Sequence, residues 1–162
     1  MSTTSAPAPG DAAPSAPEGP ITTAPKRVKV PTIIQQAQVE CGAASLGMIL
    51  AHFGRWETLE DLRTACGVTR DGADAPSIVA AAAGYGLDYT AVRGDIEKLR
   101  DYPVPSIAWV RRSHFVVLEG IHGGRVYLND PAHGPRSETI DEFALEYSGV
   151  AINFTKNASF TP

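Results

Sequence analysis

A glutamine six residues before a cysteine, and a histidine sixteen residues before an aspartate, are the side chains here best suited to acyl transfer: Gln35, Cys41, His114 and Asp130. Cys41 opens a run of apolar residues that reads as a buried helix. The N-terminal end of a helix presents unpaired N–H groups and partial positive charge, both of which favour a thiolate over a thiol. Paired with a histidine, such a cysteine can fall from a pKa of about 8.5 into the range of about 3.5–7.5. Taken alone, Cys41 reads equally well as a small buried residue. Gln35 could supply a side-chain amide to an oxyanion, with the Cys41 N–H as the second donor; one such donor is worth about 100–1000-fold in rate. Gln36 and Gln38 beside it leave open a plain loop role for Gln35.

His114 and Asp130 are linked by a hairpin signal. His122-Gly123-Gly124 lies between two β-like runs, and positions 114 and 130 are equidistant from residue 122. A hairpin folded at His122 sets the two side chains directly opposite on one face. A carboxylate against an imidazole fixes its tautomer and stabilises the imidazolium. The other reading is a structural pair at a strand end, since Asn129-Asp130-Pro131 also suits an ordinary turn.

The remaining candidates read as structural. His52 suits a helix surface, His122 a turn tip and His133 a loop; no two histidines stand at metal-ligand spacing. Cys66 closes a helix and reads as packing, and Trp56 and Trp109 read as core. No G-x-x-x-x-G-K-[ST] occurs, which excludes nucleotide hydrolysis through a P-loop. A net charge of -4 with a pI near 5.5 offers no footprint for nucleic acid or an anionic membrane. No apolar run reaches the roughly 18 residues of a membrane span, and the N-terminus lacks a secretory signal pattern. The sequon at Asn157 is therefore read as chance. Two cysteines without a framework point to reduced thiols and a cytosolic compartment.

These side chains need elements to hold them. Of the first 25 residues 21 are Ala, Pro, Ser, Thr or Gly, so residues 1–27 are expected to be a disordered tail. An extended segment follows over 28–34, then the apolar helix over 40–53, stopped by Gly54. Thr58 with Asp61 makes an N-terminal box for a helix ending near residue 65 before Gly67. Asp74 and Pro76 open an Ala-rich helix that stops at Gly84. A strand is expected over 87–92 and a short helix over 95–101, capped by Asp95. Beyond Pro105 the period becomes two: strands at 106–110, 114–120, 125–129 and 150–154, with one helix at 140–147. Helices first and antiparallel strands second make an α+β domain over 28–156.

Three blocks carry a family resemblance. They are Val30-Pro31-Thr32-Ile33-Ile34-Gln35 with Val39-Glu40-Cys41-Gly42-Ala43-Ala44-Ser45-Leu46-Gly47-Met48-Ile49-Leu50; Cys66-Gly67-Val68-Thr69-Arg70-Asp71-Gly72; and His114-Phe115-Val116-Val117-Leu118-Glu119-Gly120 with Val126-Tyr127-Leu128-Asn129-Asp130-Pro131-Ala132. Glu142-Phe143 and Gly149-Val150 add a closing helix and strand. Over about 28–162 the chain resembles the bacteriocin-processing cysteine peptidase domain of peptidase-containing ABC transporters, within it the subgroup serving nitrile-hydratase-like leader peptides. The resemblance implies a papain-like fold, with Cys41 as nucleophile, His114 as base, Asp130 as its orienting group and Gln35 in the oxyanion hole. It implies cleavage of a ribosomally made precursor after a double-glycine type motif (Gly-Gly, Gly-Ala or similar), the leader docking as a helix. The partners would be that precursor and the membrane and ATPase domains of a transporter. The peptidase itself would need no cofactor, since ATP and Mg would belong to the ATPase domain. The expected location is the cytoplasm, at the inner face of the membrane, with residues 157–162 starting a linker toward a membrane domain. A catalytically silent leader-docking domain, or another papain-like amidase or acyl transferase, are the alternatives.

Overall fold

The computed structural model describes residues 27–162, so the expected N-terminal tail lies outside the described residues except for Arg27, which bridges to Gly120. Helix α1 (Cys41–His52) is buried from Cys41 through Ala51, on all sides. It tolerates that position because its small residues admit neighbours closely. A Cβ on Gly42 would meet Ile78 Cδ1 at 2.8 Å, and one on Gly47 would meet Leu62 Cδ1 at 2.6 Å. Ile78 belongs to α3 (Ala75–Gly84) and Leu62 to α2 (Leu59–Cys66). Both helices start where their caps dictate: Thr58 Oγ1 accepts from Asp61 N at 3.0 Å, and Asp74 Oδ1 from Ser77 N at 3.0 Å. Gly67 ends α2 in the left-handed conformation that a side chain would disfavour.

Among the described residues six strands form one antiparallel sheet: β1 (Leu87–Arg93), β2 (Ser106–Val110), β3 (His114–His122), β4 (Arg125–Asp130), β5 (Gly134–Thr139) and β6 (Tyr147–Lys156). Their order is β1-β6-β2-β3-β4-β5, so the last strand enters the middle of the sheet. The central strands are apolar on both faces. Ile107, Phe115, Val117, Ile152 and Phe154 pack on α1–α3. Ala108, Val110, Val116, Leu118, Val126, Leu128 and Ala151 face the other way, against Leu99 and against Phe143 of α4 (Ile140–Glu146). The α+β architecture expected from the change of period is therefore what forms.

Three expectations need correction. Residues 134–139 form β5, an edge strand hidden in sequence by Gly134 and Pro135; an edge tolerates the missing proline donor. Trp56 is not core but 65% exposed, because the turn after α1 points it outward. The β3–β4 hairpin turns at Gly123-Gly124 rather than His122, since His122 pairs with Arg125. Its register also shifts between Leu118 and Gly120, leaving Glu119 as the extra residue. The segment after β6 is packed on the domain: Phe160 meets the Phe53 ring edge-on at 6.1 Å, and Arg55 donates to the Thr161 carbonyl at 3.2 Å.

Candidate active site

Cys41 is the first residue of α1 and His114 the first of β3. They meet because α1 lies across the sheet near the start of β3, where Ser45 Oγ donates to the Phe115 carbonyl at 3.4 Å. Asp130 ends β4. With the observed register continued from Val117↔Asn129, Asp130 stands opposite Val116, a diagonal neighbour of His114 rather than its direct partner. The parity is unchanged, so both side chains share a face, and His114 Nε2 reaches Asp130 Oδ1 at 2.7 Å. That leaves Nδ1 as the ring nitrogen free for the Cys41 thiol, which lies close enough to His114 for each to shift the other's pKa.

The electrostatics follow from these contacts. Burial alone would raise the Cys41 thiol, but the His114 hydrogen bond and charge, with the Phe115 and Gly42 amides, outweigh it and hold the thiol below its usual value. Burial would likewise lower His114; its bonds to Asp130 and Cys41 push it up instead, to about 9. The site therefore favours a thiolate–imidazolium pair. Cys66 is the contrast: buried without a partner, its thiol is pushed up to about 11.

Asp130 is 1% exposed and fully committed. Oδ1 accepts from the Ala132 amide at 2.8 Å as well as from His114, and Oδ2 accepts from Arg136 Nε at 3.0 Å. Against the cost of burying a carboxylate, these donors hold its pKa far below the usual range. Arg136 sits on β5 and also contacts Glu138 and Glu146.

Gln35 arrives on the N-terminal segment, which is tied down along its length. Glu119, turned inward at the register shift and 2% exposed, accepts from Val30 N at 3.0 Å through its carboxylate; its own carbonyl accepts from Val28 N at 2.7 Å. Asn129 Nδ2 donates to the Val30 carbonyl at 3.2 Å and to Thr32 Oγ1 at 3.0 Å. Gln35 N then donates to the Pro131 carbonyl at 2.8 Å, one residue past Asp130. The Gln35 side-chain Oε1 is buried and has no hydrogen-bond partner among the described residues.

Cys41 also borders a cleft of about 780 Å3 whose walls include Trp109, Phe115, Ala75 and the Thr69–Gly72 turn. His114, Asp130 and Gln35 are not among its lining residues. Trp109 stacks on Phe115 at 6.4 Å, so it is cleft wall rather than plain core. Of the remaining histidines, His122 and His133 are exposed. Among the described residues no group of three His, Cys, Asp or Glu could hold a metal, and no helix is long and apolar enough to cross a membrane. Two residues at the site have no functional reading in the sequence: Glu40, which has only its place in a block, and Arg136, which has none. The only signal for Glu40 is a capping pattern with Ala37 where Ser or Thr belongs.

The family model described as the peptidase C39 family matches residues 29–159. The lactococcin-G-processing and transport ATP-binding protein LagD of Lactococcus lactis is 33% identical over 136 residues, covering 80% of this chain and 19% of that protein. The colicin V secretion/processing ATP-binding protein CvaB of Escherichia coli is 34% identical over 132 residues, covering 82% and 19%. The chain thus spans about a fifth of the length of the curated relatives it matches. Among solved structures, a double glycine motif protease from an AMS/PCAT transporter, in complex with the leader peptide, has a TM-score of 0.78 and 42% identity, covering 81% of this chain and 94% of that one. The peptidase domain of Streptococcus ComA has a TM-score of 0.72 and 25% identity, covering 77% and 97%.

Proposed function

From the premise that this chain belongs to the peptidase C39 family, a family of cysteine peptidases, we propose that Cys41, His114, Asp130 and Gln35 carry out leader removal from a ribosomally made precursor. The observation that carries this reading is the chain of contacts from Asp130 through His114 to a thiol at a helix N-terminus, with Nε2–Oδ1 at 2.7 Å. The Cys41 thiolate attacks the carbonyl carbon of the second residue of a Gly-Gly or Gly-Ala junction, forming a C–S bond. The Gln35 amide and the Cys41 N–H hold the oxyanion. His114 passes its proton to the departing amine, the C–N bond breaks, and the leader remains as a thioester. Water, deprotonated by His114, then releases the leader acid and the thiol. Asp130 keeps the Nε2–H tautomer, so Nδ1 faces the sulfur throughout.

The substrate class rests on relatives whose names join processing to transport, and on the solved neighbour that holds a leader peptide. The cleft beside Cys41 would take residues flanking the cut, and the leader would dock as a helix in a groove. Those relatives are named ATP-binding proteins, so ATP and Mg would be used outside this segment, by a transporter whose inner face holds the peptidase in the cytoplasm. Residues 28–156 would be the peptidase unit and 157–162 the way out of it.

The test is incubation of the purified domain with precursors bearing Gly-Gly or Gly-Ala junctions, followed by mass spectrometry. A single cut after the junction, lost in Cys41→Ala while leader binding by calorimetry persists, is expected. Cleavage by Cys41→Ala near the parent rate would overturn the assignment.

A further inference from the structure

We infer that Glu40, the residue immediately before the nucleophile, is a positioning residue that sets the Gln35 amide in the oxyanion hole. The inference rests on the role of Gln35 proposed above. Glu40 is 4% exposed, an uncommon place for a carboxylate unless its oxygens are occupied. They are occupied by the loop that carries Gln35. One oxygen accepts from the backbone N–H of Gln36 at 2.7 Å and of Ala37 at 3.0 Å. The other meets Arg63 Nε of α2 at 3.0 Å.

The chain leaving Gln35 is therefore clamped at the next two amides, while Gln35 N is held from the other side by the Pro131 carbonyl. Between two fixed points only the side chain of Gln35 is left to orient, and its buried Oε1 makes no hydrogen bond among the described residues. The carbonyl end of the amide is thus not spent on holding the loop. Because Glu40 directly precedes Cys41, its backbone moves with the Cys41 N–H, the second donor of the same hole. One carboxylate therefore sets the distance between the two donors. A donor displaced by about 1 Å can lose about 100-fold in rate, so a clamp of this kind is worth a charged, buried residue beside a thiolate. Arg63 offsets the charge that would otherwise oppose the thiolate.

The experiment compares Gln35→Ala, Glu40→Ala, Glu40→Gln and the double variant Gln35→Ala/Glu40→Ala on one precursor. Glu40→Ala should lower kcat roughly 10- to 100-fold with KM nearly unchanged. Glu40→Gln keeps an acceptor for both amides and loses only the ion pair with the half-exposed Arg63, so it should stay within about fivefold of the parent. The double variant should be no slower than Gln35→Ala, since a clamp has nothing to position once the amide is gone. Alkylation of Cys41 by iodoacetamide, which uses no oxyanion hole, should keep its pH profile in Glu40→Ala. Additive losses in the double variant, or a shifted alkylation profile, would overturn the inference while leaving the role of Gln35 intact. An unchanged kcat in Gln35→Ala would overturn that role and the inference with it. Should Glu40→Ala fail to fold, Glu40→Gln slowed as much as Gln35→Ala would equally count against it.

Discussion

At the scale of single residues, the site is a set of opposed pKa shifts with named causes. His114 is held up to about 9 against burial, chiefly by Asp130, and the Cys41 thiol is held below its usual value by His114. The two titrate as a pair, so the pH–rate profile should be a bell with macroscopic limbs. Its alkaline limb is expected near pH 9, where His114 loses the proton that, in the mechanism proposed above, it gives to the leaving amine; kcat/KM against pH measures it. In Asp130→Asn the support for the imidazolium goes. The alkaline limb should then move down toward the ordinary histidine range, and the rate should fall at least about 100-fold. Arg136 acts on the same carboxylate from the other side. Arg136→Ala leaves Asp130 Oδ2 buried without its donor, and should cost about 1–3 kcal/mol of stability by denaturant titration.

At the scale of elements, legibility in the sequence follows from how local each signal is. Helix α1 is readable because an uninterrupted apolar run with Gly and Ala has no other home than the centre of the molecule. The contact of His114 with Asp130 is readable because parity survives errors of two in hairpin register; the register itself is not, since the Gly-rich tip does not say that His122 still pairs and the extra Glu119 leaves no mark in the pattern. Strand β5 hides behind Gly134 and Pro135, and with it Arg136 goes unread. Glu40 goes unread because its two acceptor bonds join residues in a loop that has no periodicity. The close fit of α1 yields a prediction of its own. A methyl at Gly47 would meet Leu62 Cδ1 at 2.6 Å and Ile33 Cδ1 at 3.1 Å, so the end of the fully buried Leu62 has to shift within the core. Gly47→Ala should destabilise by about 1–3 kcal/mol. Because Ile33 lies two residues before Gln35, kcat should fall as well, which separates this variant from one that merely loosens the core.

At the scale of the whole molecule, everything depends on where β6 goes. It pairs with β1 on one side and β2 on the other, and contributes Ile152 and Phe154 to one core and Ala151 to the second. A chain ending at residue 146 would leave β1 without any strand partner and both cores short of their middle. It should show no cooperative thermal transition by circular dichroism and no cleavage, although it retains Gln35, Cys41, His114 and Asp130. That dependence has a consequence in time. During synthesis Gln35, Cys41, His114 and Asp130 all exist by the moment residue 130 is joined, yet the strand that locks the sheet is made after them. A nascent chain thus carries a complete set of reactive side chains with no geometry to use them. On the function proposed above, cleavage would therefore begin only once the strand over 147–156 has been made and has slotted home.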